Sequence, residues 1–170
     1  MKLISLFALL VLTTGCATKP ESTISYSGAF NLNVPTQALS NATFFSADGL
    51  SVAWPGGKLI SGLAITRESE ALPPDFELKD YPKYALGLKS PSNLGKRVAN
   101  LLGNSATEFD RSFGKERVEV RSVRDLKVYS ACRQPKCMAF VVKDGVDDHI
   151  LSVYTQKINQ KEFNELINGL

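Results

Sequence analysis

The chain has 170 residues, 44% hydrophobic and 22% charged, with a formal net charge of +3. These are globular proportions; they exclude a disordered chain and fit one ordinary domain long enough to build a real core. The charge is mild and no run of Lys or Arg stands out, which argues against a nucleic-acid-binding surface.

The first element is an export signal. Lys2 supplies a positive n-region, Leu3 to Leu12 (LISLFALLVL) an apolar h-region, and Thr13-Thr14-Gly15 small residues ahead of Cys16. The apolar run is about half the roughly 20 residues that a transmembrane helix needs, and charge, short core and small residues follow in the order of a cleaved signal. The cysteine at its end resembles the lipobox of bacterial lipoproteins. The resemblance covers residues 1–17, and it departs from the usual pattern in that Leu12 lies one place early and Thr13 stands where Leu is common. It implies cleavage before Cys16, a diacylglycerol thioether on that thiol and three acyl chains. One myristoyl chain binds a bilayer only marginally, at about 0.8 kcal/mol per buried CH₂, whereas two signals anchor stably. Attachment through Cys16 would thus be permanent, and the membrane is the first expected partner. Ala17, in place of the Asp that retains such proteins on the inner membrane, implies the outer membrane facing the periplasm.

This divides the chain into a cleaved signal (1–15), a lipidated cysteine and short tether (16–23) and a single domain (24–170). The tether, Ala17 to Thr23 (ATKPEST), is polar and spans at most about 25 Å when extended. From Ile24 to Thr66 the chain is strand-like. Ala29 to Val34 forms one strand, and Thr43 to Ser46 pairs with Leu50 to Trp54 across Ala47-Asp48-Gly49, where Asp-Gly suits a hairpin. Pro55-Gly56-Gly57 turns the chain into Lys58 to Thr66. Gly56-Gly57-Lys58 lacks the spacing and the Ser or Thr of a phosphate loop. Arg67 to Ser90, broken by Pro73-Pro74 and Pro82, reads as a packed loop or short helical turns. Ser92 is the expected N-cap of a helix carrying Leu94, Val98, Leu101 and Leu102 and stopped by Gly103-Asn104, with Phe109 and Phe113 in a further turn. Val118 and Val120 alternate with Glu119 and Arg121 as a half-buried strand.

Leu126 to Val142 reads as a hairpin. Leu126, Val128, Ser130 and Cys132 share one face, Lys127, Tyr129, Ala131 and Arg133 the other, and Arg133 to Lys136 makes a four-residue loop. Cys132 and Cys137 then stand opposite at about 4.5–5.5 Å between Cα atoms, inside the range that a disulfide bridges. In an oxidising compartment, with the third cysteine taken by lipid as the resemblance implies, these two form a bond. Asp144-Gly145 turns again, Ile150 to Thr155 is a last strand, and Asn159 with Glu162 opens a helix whose Phe163, Leu166, Ile167 and Leu170 make one apolar stripe. The expected fold is α+β: an antiparallel sheet of five to seven strands with a middle helix and a C-terminal amphipathic helix packed on it. The pattern looks like the PsbP-type α/β/α sandwich; no motif carries that likeness, so no site residue follows from it.

The candidate chemistry is sparse. Thiol oxidoreductases use Cys-x-x-Cys at a helix start, not a pair spaced across a hairpin. His149 is the one histidine; with Asp144, Asp147 and Asp148 it makes an acidic turn better explained as a connection than as a metal site, which needs three or four ligands. No Gly-x-Ser-x-Gly elbow exists, and Ser112-Phe113-Gly114-Lys115 lacks the companion motifs of Ser-x-x-Lys enzymes. No cofactor is implied. The basic bias is softer: residues 91–170 hold 13 Lys and Arg against 10 Asp and Glu. Arg111, Lys115, Arg117, Arg121, Arg124, Lys127, Arg133 and Lys136 face only Glu116, Glu119 and Asp125 in their window, and on one surface they would meet anionic lipid or an acidic partner. The expected function is a non-enzymatic, lipid-anchored module that binds or helps assemble an envelope component. The alternative is a small hydrolase-like enzyme working from the 67–90 loop and the Asp147–His149 turn.

Overall fold

The computed structural model describes residues 20–46 and 49–170. The lipobox, Cys16 and the hairpin residues Ala47 and Asp48 lie outside the described residues.

Among the described residues nine strands and three helices follow in order: β1 (Glu21–Tyr26), β2 (Phe30–Pro35), β3 (Thr43–Ser46), β4 (Leu50–Ala53), β5 (Leu59–Thr66), α1 (Tyr81–Ala85), α2 (Lys96–Phe113), β6 (Glu119–Val123), β7 (Leu126–Arg133), β8 (Lys136–Lys143), β9 (His149–Gln156) and α3 (Gln160–Asn168). Seven of the strands form one antiparallel sheet, in the order β3-β4-β5-β9-β8-β7-β6, and β1 and β2 pair separately as a hairpin. The fold is α+β with a C-terminal helix.

The sheet is covered on both faces, and that explains its sequence. The middle strands β7, β8 and β9 alternate between two cores, so both parities are apolar: Val128, Val141 and Val153 serve one face, Tyr129, Phe140 and Ile150 the other. On the first face lie the β1–β2 hairpin, through Ile24, Tyr26, Phe30 and Leu32, and α3, through the fully buried Phe163 and Ile167. On the second lie α1, α2 and the segment before them, through Phe76, Tyr84, Leu102, Phe109 and Phe113.

Several boundaries differ from the sequence-based expectation. Glu21, Ser22 and Thr23, expected in the tether, are already strand, because Asn33, Val34 and Pro35 offer them a ladder and Thr23 donates to Asn33 Oδ1 at 2.9 Å. Gly103 and Asn104 do not stop α2. A mid-helix glycine costs about 1 kcal/mol relative to alanine. Continuing the helix buries Phe109 and Phe113, and burying such a side chain is worth about 1.5–3 kcal/mol. The helix ends instead at Gly114, whose φ of 83° is a left-handed conformation open to glycine. Ser92 does not cap α2 either; Gly95 holds that place, and Ser90 caps a preceding 3-10 turn, Pro91–Asn93. The alternation around β6 holds only at its start: Val118 is half-buried and Glu119 exposed as expected, but Val120 is 49% exposed, while Arg121 is half-buried opposite Val128. The hairpin tip is a two-residue turn, Gln134-Pro135, because Arg133 and Lys136 still pair.

Candidate functional site

The segment between β5 and α2 is the part of the molecule that is neither strand nor long helix, yet its backbone is fastened throughout. Arg67 Nε donates to Phe76 O at 2.7 Å, Arg97 reaches Ala71 O at 3.3 Å, and the Tyr81 hydroxyl donates to Glu70 Oε2 at 2.7 Å. Burial, with the Glu70 carboxylate beside it, pushes the Tyr81 phenol far above its ordinary value. Pro73-Pro74 and Pro82 rule out a continuous helix here. The chain therefore folds over the sheet as a strap, with a short 3-10 turn, Leu78–Asp80, before α1.

That strap leaves a cleft of about 400 Å³ against the start of α2, bounded by Pro73, Phe76 and Tyr84 from the strap and by Asn93, Leu94 and Val98 from the helix side. A second opening of about 570 Å³ continues past Pro73 to Arg97 and Glu68. Asp80 sits at the first cleft and accepts from Lys83 Nζ at 2.6 Å and Lys89 Nζ at 3.1 Å. Partial burial raises its carboxyl, but the two lysine hydrogen bonds outweigh that and hold it below the usual carboxylate range. Lys89 also lies over the Tyr84 ring, 4.8 Å from its centre. The cleft therefore combines an aromatic wall with three carboxylates, Asp75, Glu77 and Asp80, of which Asp80 is paired with Lys83 and Lys89.

The Asp147–His149 turn is split by the sheet. Asp147 joins Arg67, Glu77 and Lys79 around a cavity of about 340 Å³ on the strap side. His149 turns to the opposite face, where its ring packs edge-on against Phe30 with centroids 5.7 Å apart. Its Nδ1 lies 2.7 Å from Asp148 Oδ1, a bond that holds the Asp148 carboxyl below its ordinary value, and its Nε2 is buried with no hydrogen-bond partner among the described residues. The imidazole thus supports the hairpin layer and does not open onto the cleft.

Cys132 and Cys137 are bonded, with Cα atoms 4.1 Å apart across the β7–β8 register. The basic residues are distributed, not gathered. Arg124 donates to Asn168 O and Leu170 O at 3.4 Å, at the C-terminal end of α3, and Arg133 donates to Arg111 O at 3.1 Å near the end of α2. Both cations neutralise the negative end of a helix. Arg111 pairs with Glu108, Arg117 with Glu116, and Lys127 lies 5.8 Å from the Tyr129 ring centre. Arg121 is half-buried, with Nε and one terminal nitrogen lacking a partner among the described residues. Arg117, Arg133 and Lys136 stand toward the Gln134-Pro135 end of the sheet, Arg124 and Lys127 at the other.

The sequence points to the 67–90 stretch through its proline breaks but does not show the cleft, since its two walls come from separate stretches of the chain. Among the described residues no group of three or more His, Cys, Asp and Glu gathers as a metal site, and no helix is long and apolar enough to cross a membrane. Set beside known proteins, the chain matches no family model and no curated protein at a significant level.

Proposed function

We propose that this protein is a lipid-anchored module of the bacterial envelope, held through Cys16 at the periplasmic side of the outer membrane, which binds or helps assemble an envelope component through the cleft under the 67–90 strap. One observation carries this reading: the chain enters the fold on one face of the sheet, and the cleft opens on the other. Pro20 O accepts from Thr36 N at 2.9 Å on the hairpin side, while Phe76, Tyr84 and Leu94 belong to the α1–α2 side. An anchor at Cys16 would leave the cleft turned away from its point of attachment and free to meet a partner. The hydrolase-like alternative is disfavoured because His149 and the strap lie on opposite faces.

Two measurements test the proposal. The mass of the N-terminal peptide from membranes should carry acyl chains on Cys16, and Cys16→Ser should release the protein. In intact cells, a photo-reactive residue at Asp75 or Asn93, both at the cleft, should capture one envelope component that a probe at Glu165, exposed on α3, does not. Equal capture from all three positions would remove the cleft from consideration. A turnover abolished by His149→Ala would replace the binding reading with the enzymatic one.

A further inference from the structure

The two edges of the sheet are guarded differently. An open edge offers unpaired backbone groups to any passing strand, and proteins usually protect it with charge or proline. The β6 edge carries Glu119 and Arg121. The β3 edge, Thr-Phe-Phe-Ser, carries neither, and all four residues are exposed, with Phe44 at 49% and Phe45 at 47%. Adjacent strand residues point to opposite faces, so the two rings splay on either side of the edge like a wedge.

This edge lies at the corner where the chain enters. Pro20 is held to Thr36, Ser22 Oγ lies 2.9 Å from Thr36 Oγ1, and the 3-10 turn Thr36–Leu39 leads into β3. Trp54 Nε1 donates to Ala38 O at 2.8 Å, tying that turn to the end of β4. Cys16 shortly precedes Pro20 in the sequence, so a lipid on its thiol attaches within a few residues of this corner. Lys58 and Lys157 border the same corner; Lys58 Nζ meets Glu162 at 3.0 Å, and Lys157 Nζ donates to Gly56 O at 2.9 Å.

We propose that the β3 edge is a membrane-contact wedge: Phe44 and Phe45 enter the headgroup region of the bilayer that carries the Cys16 lipid, with Lys58 and Lys157 meeting its anionic headgroups. This inference rests on the anchor proposed above. The apolar face of an interfacial helix sinks about 5–10 Å into the headgroup boundary, the depth expected here for the two rings. The unpaired N–H and C=O groups of β3 keep water and headgroup partners at that depth, which the hydrocarbon core would deny them. A second, shallow contact fixes the orientation of a domain that attachment at one point alone would leave undetermined.

The sole tryptophan makes the test direct. In a Trp54→Phe background, tryptophan is placed at Phe44, at Phe45 or at Val120, the last exposed on β6 at the opposite edge of the sheet. The full chain is purified from membranes, its N-terminal peptide is weighed, and it is reconstituted into phosphatidylethanolamine–phosphatidylglycerol vesicles containing brominated lipid. Quenching of about twofold or more at positions 44 and 45, with little at 120, is the expected result for interfacial insertion. An acylated Cys16 without quenching at 44 and 45 overturns the wedge and leaves the anchor standing. An unmodified Cys16 overturns the anchor; coupling its thiol to a maleimide phospholipid then lets the same quenching decide the wedge separately. Quenching replaced by a concentration-dependent dimer, with positions 44 and 45 shielded in it, would assign the edge to a second copy of the chain and also overturn the proposal.

Discussion

At the scale of single residues, one contact is tighter than the sequence discloses. A Cβ on Gly62 would come within 2.1 Å of the Tyr26 ring, so β5 needs glycine there for the hairpin to lie flat on the sheet. The same Tyr26 is 4% exposed, and its hydroxyl is buried with no hydrogen-bond partner among the described residues. Burial pushes the phenol from 10.0 up to about 12. Leaving a buried hydroxyl unsatisfied costs about 1–3 kcal/mol, so Tyr26→Phe should stabilise the fold by about 1 kcal/mol in urea unfolding. The folded state holds the phenolic proton more tightly than the unfolded chain does. Stability therefore falls as pH rises from 10.0 toward about 12, and Tyr26→Phe should remove its share of that alkaline loss. A variant less stable than the parent would mean that the hydroxyl has a partner.

Single elements carry their own stabilisation. The capping box of α3 is complete: Asn159 Oδ1 accepts from Glu162 N at 2.9 Å, and Glu162 Oε2 accepts from Asn159 N at 3.0 Å. Asn159→Ala should cost about 1 kcal/mol of stability in chemical denaturation. The Asn159 amide and Lys58 hold the Glu162 carboxyl below its ordinary 4.5. This contribution is full above pH 4.5 and fades as pH falls through the lowered value. Glu162→Gln should flatten that part of the acid limb. The Cys132–Cys137 bond closes a short loop at the tip of two central strands. Removing a bond that closes so small a loop should cost roughly 2 kcal/mol. The pairing of β7 and β8 should survive, since their registry also rests on two apolar faces. A mutant lacking both cysteines and also β-sheet circular dichroism would show that the bond holds the hairpin together.

Over the whole molecule, one sheet separates two cores, and each half of the chain contributes to both. β5 and β9 pair along their whole length although they lie far apart in the sequence. Neither layer can leave without exposing the shared strands, which is the condition for a single cooperative transition. Unfolding followed by Trp54 fluorescence, which reports the hairpin side, should coincide with unfolding followed by far-ultraviolet circular dichroism. Separate midpoints would mean that the hairpin layer melts alone.

The residue pattern by itself determined the local elements whose cause is local: the α3 stripe and its capping box, the turn-bounded strands, and a Cys132–Cys137 pairing fixed by one hairpin. It also determined the α+β class, because closely spaced strands with few helices leave little else. Only the tertiary structure decided the rest. Gly103 reads as a stop until the distant aromatic pocket for Phe109 and Phe113 outweighs its local cost. Glu21 to Thr23 read as tether until β2 supplies a ladder. The basic residues look like one surface until the folded chain sends Arg124 and Arg133 to different helix ends. His149 opens β9 two residues after Asp147, which faces the strap, yet the two lie on opposite sides of the sheet, because Asp147 belongs to the turn before the strand, where the two-residue alternation does not apply, and only the packed layers fix what each one meets.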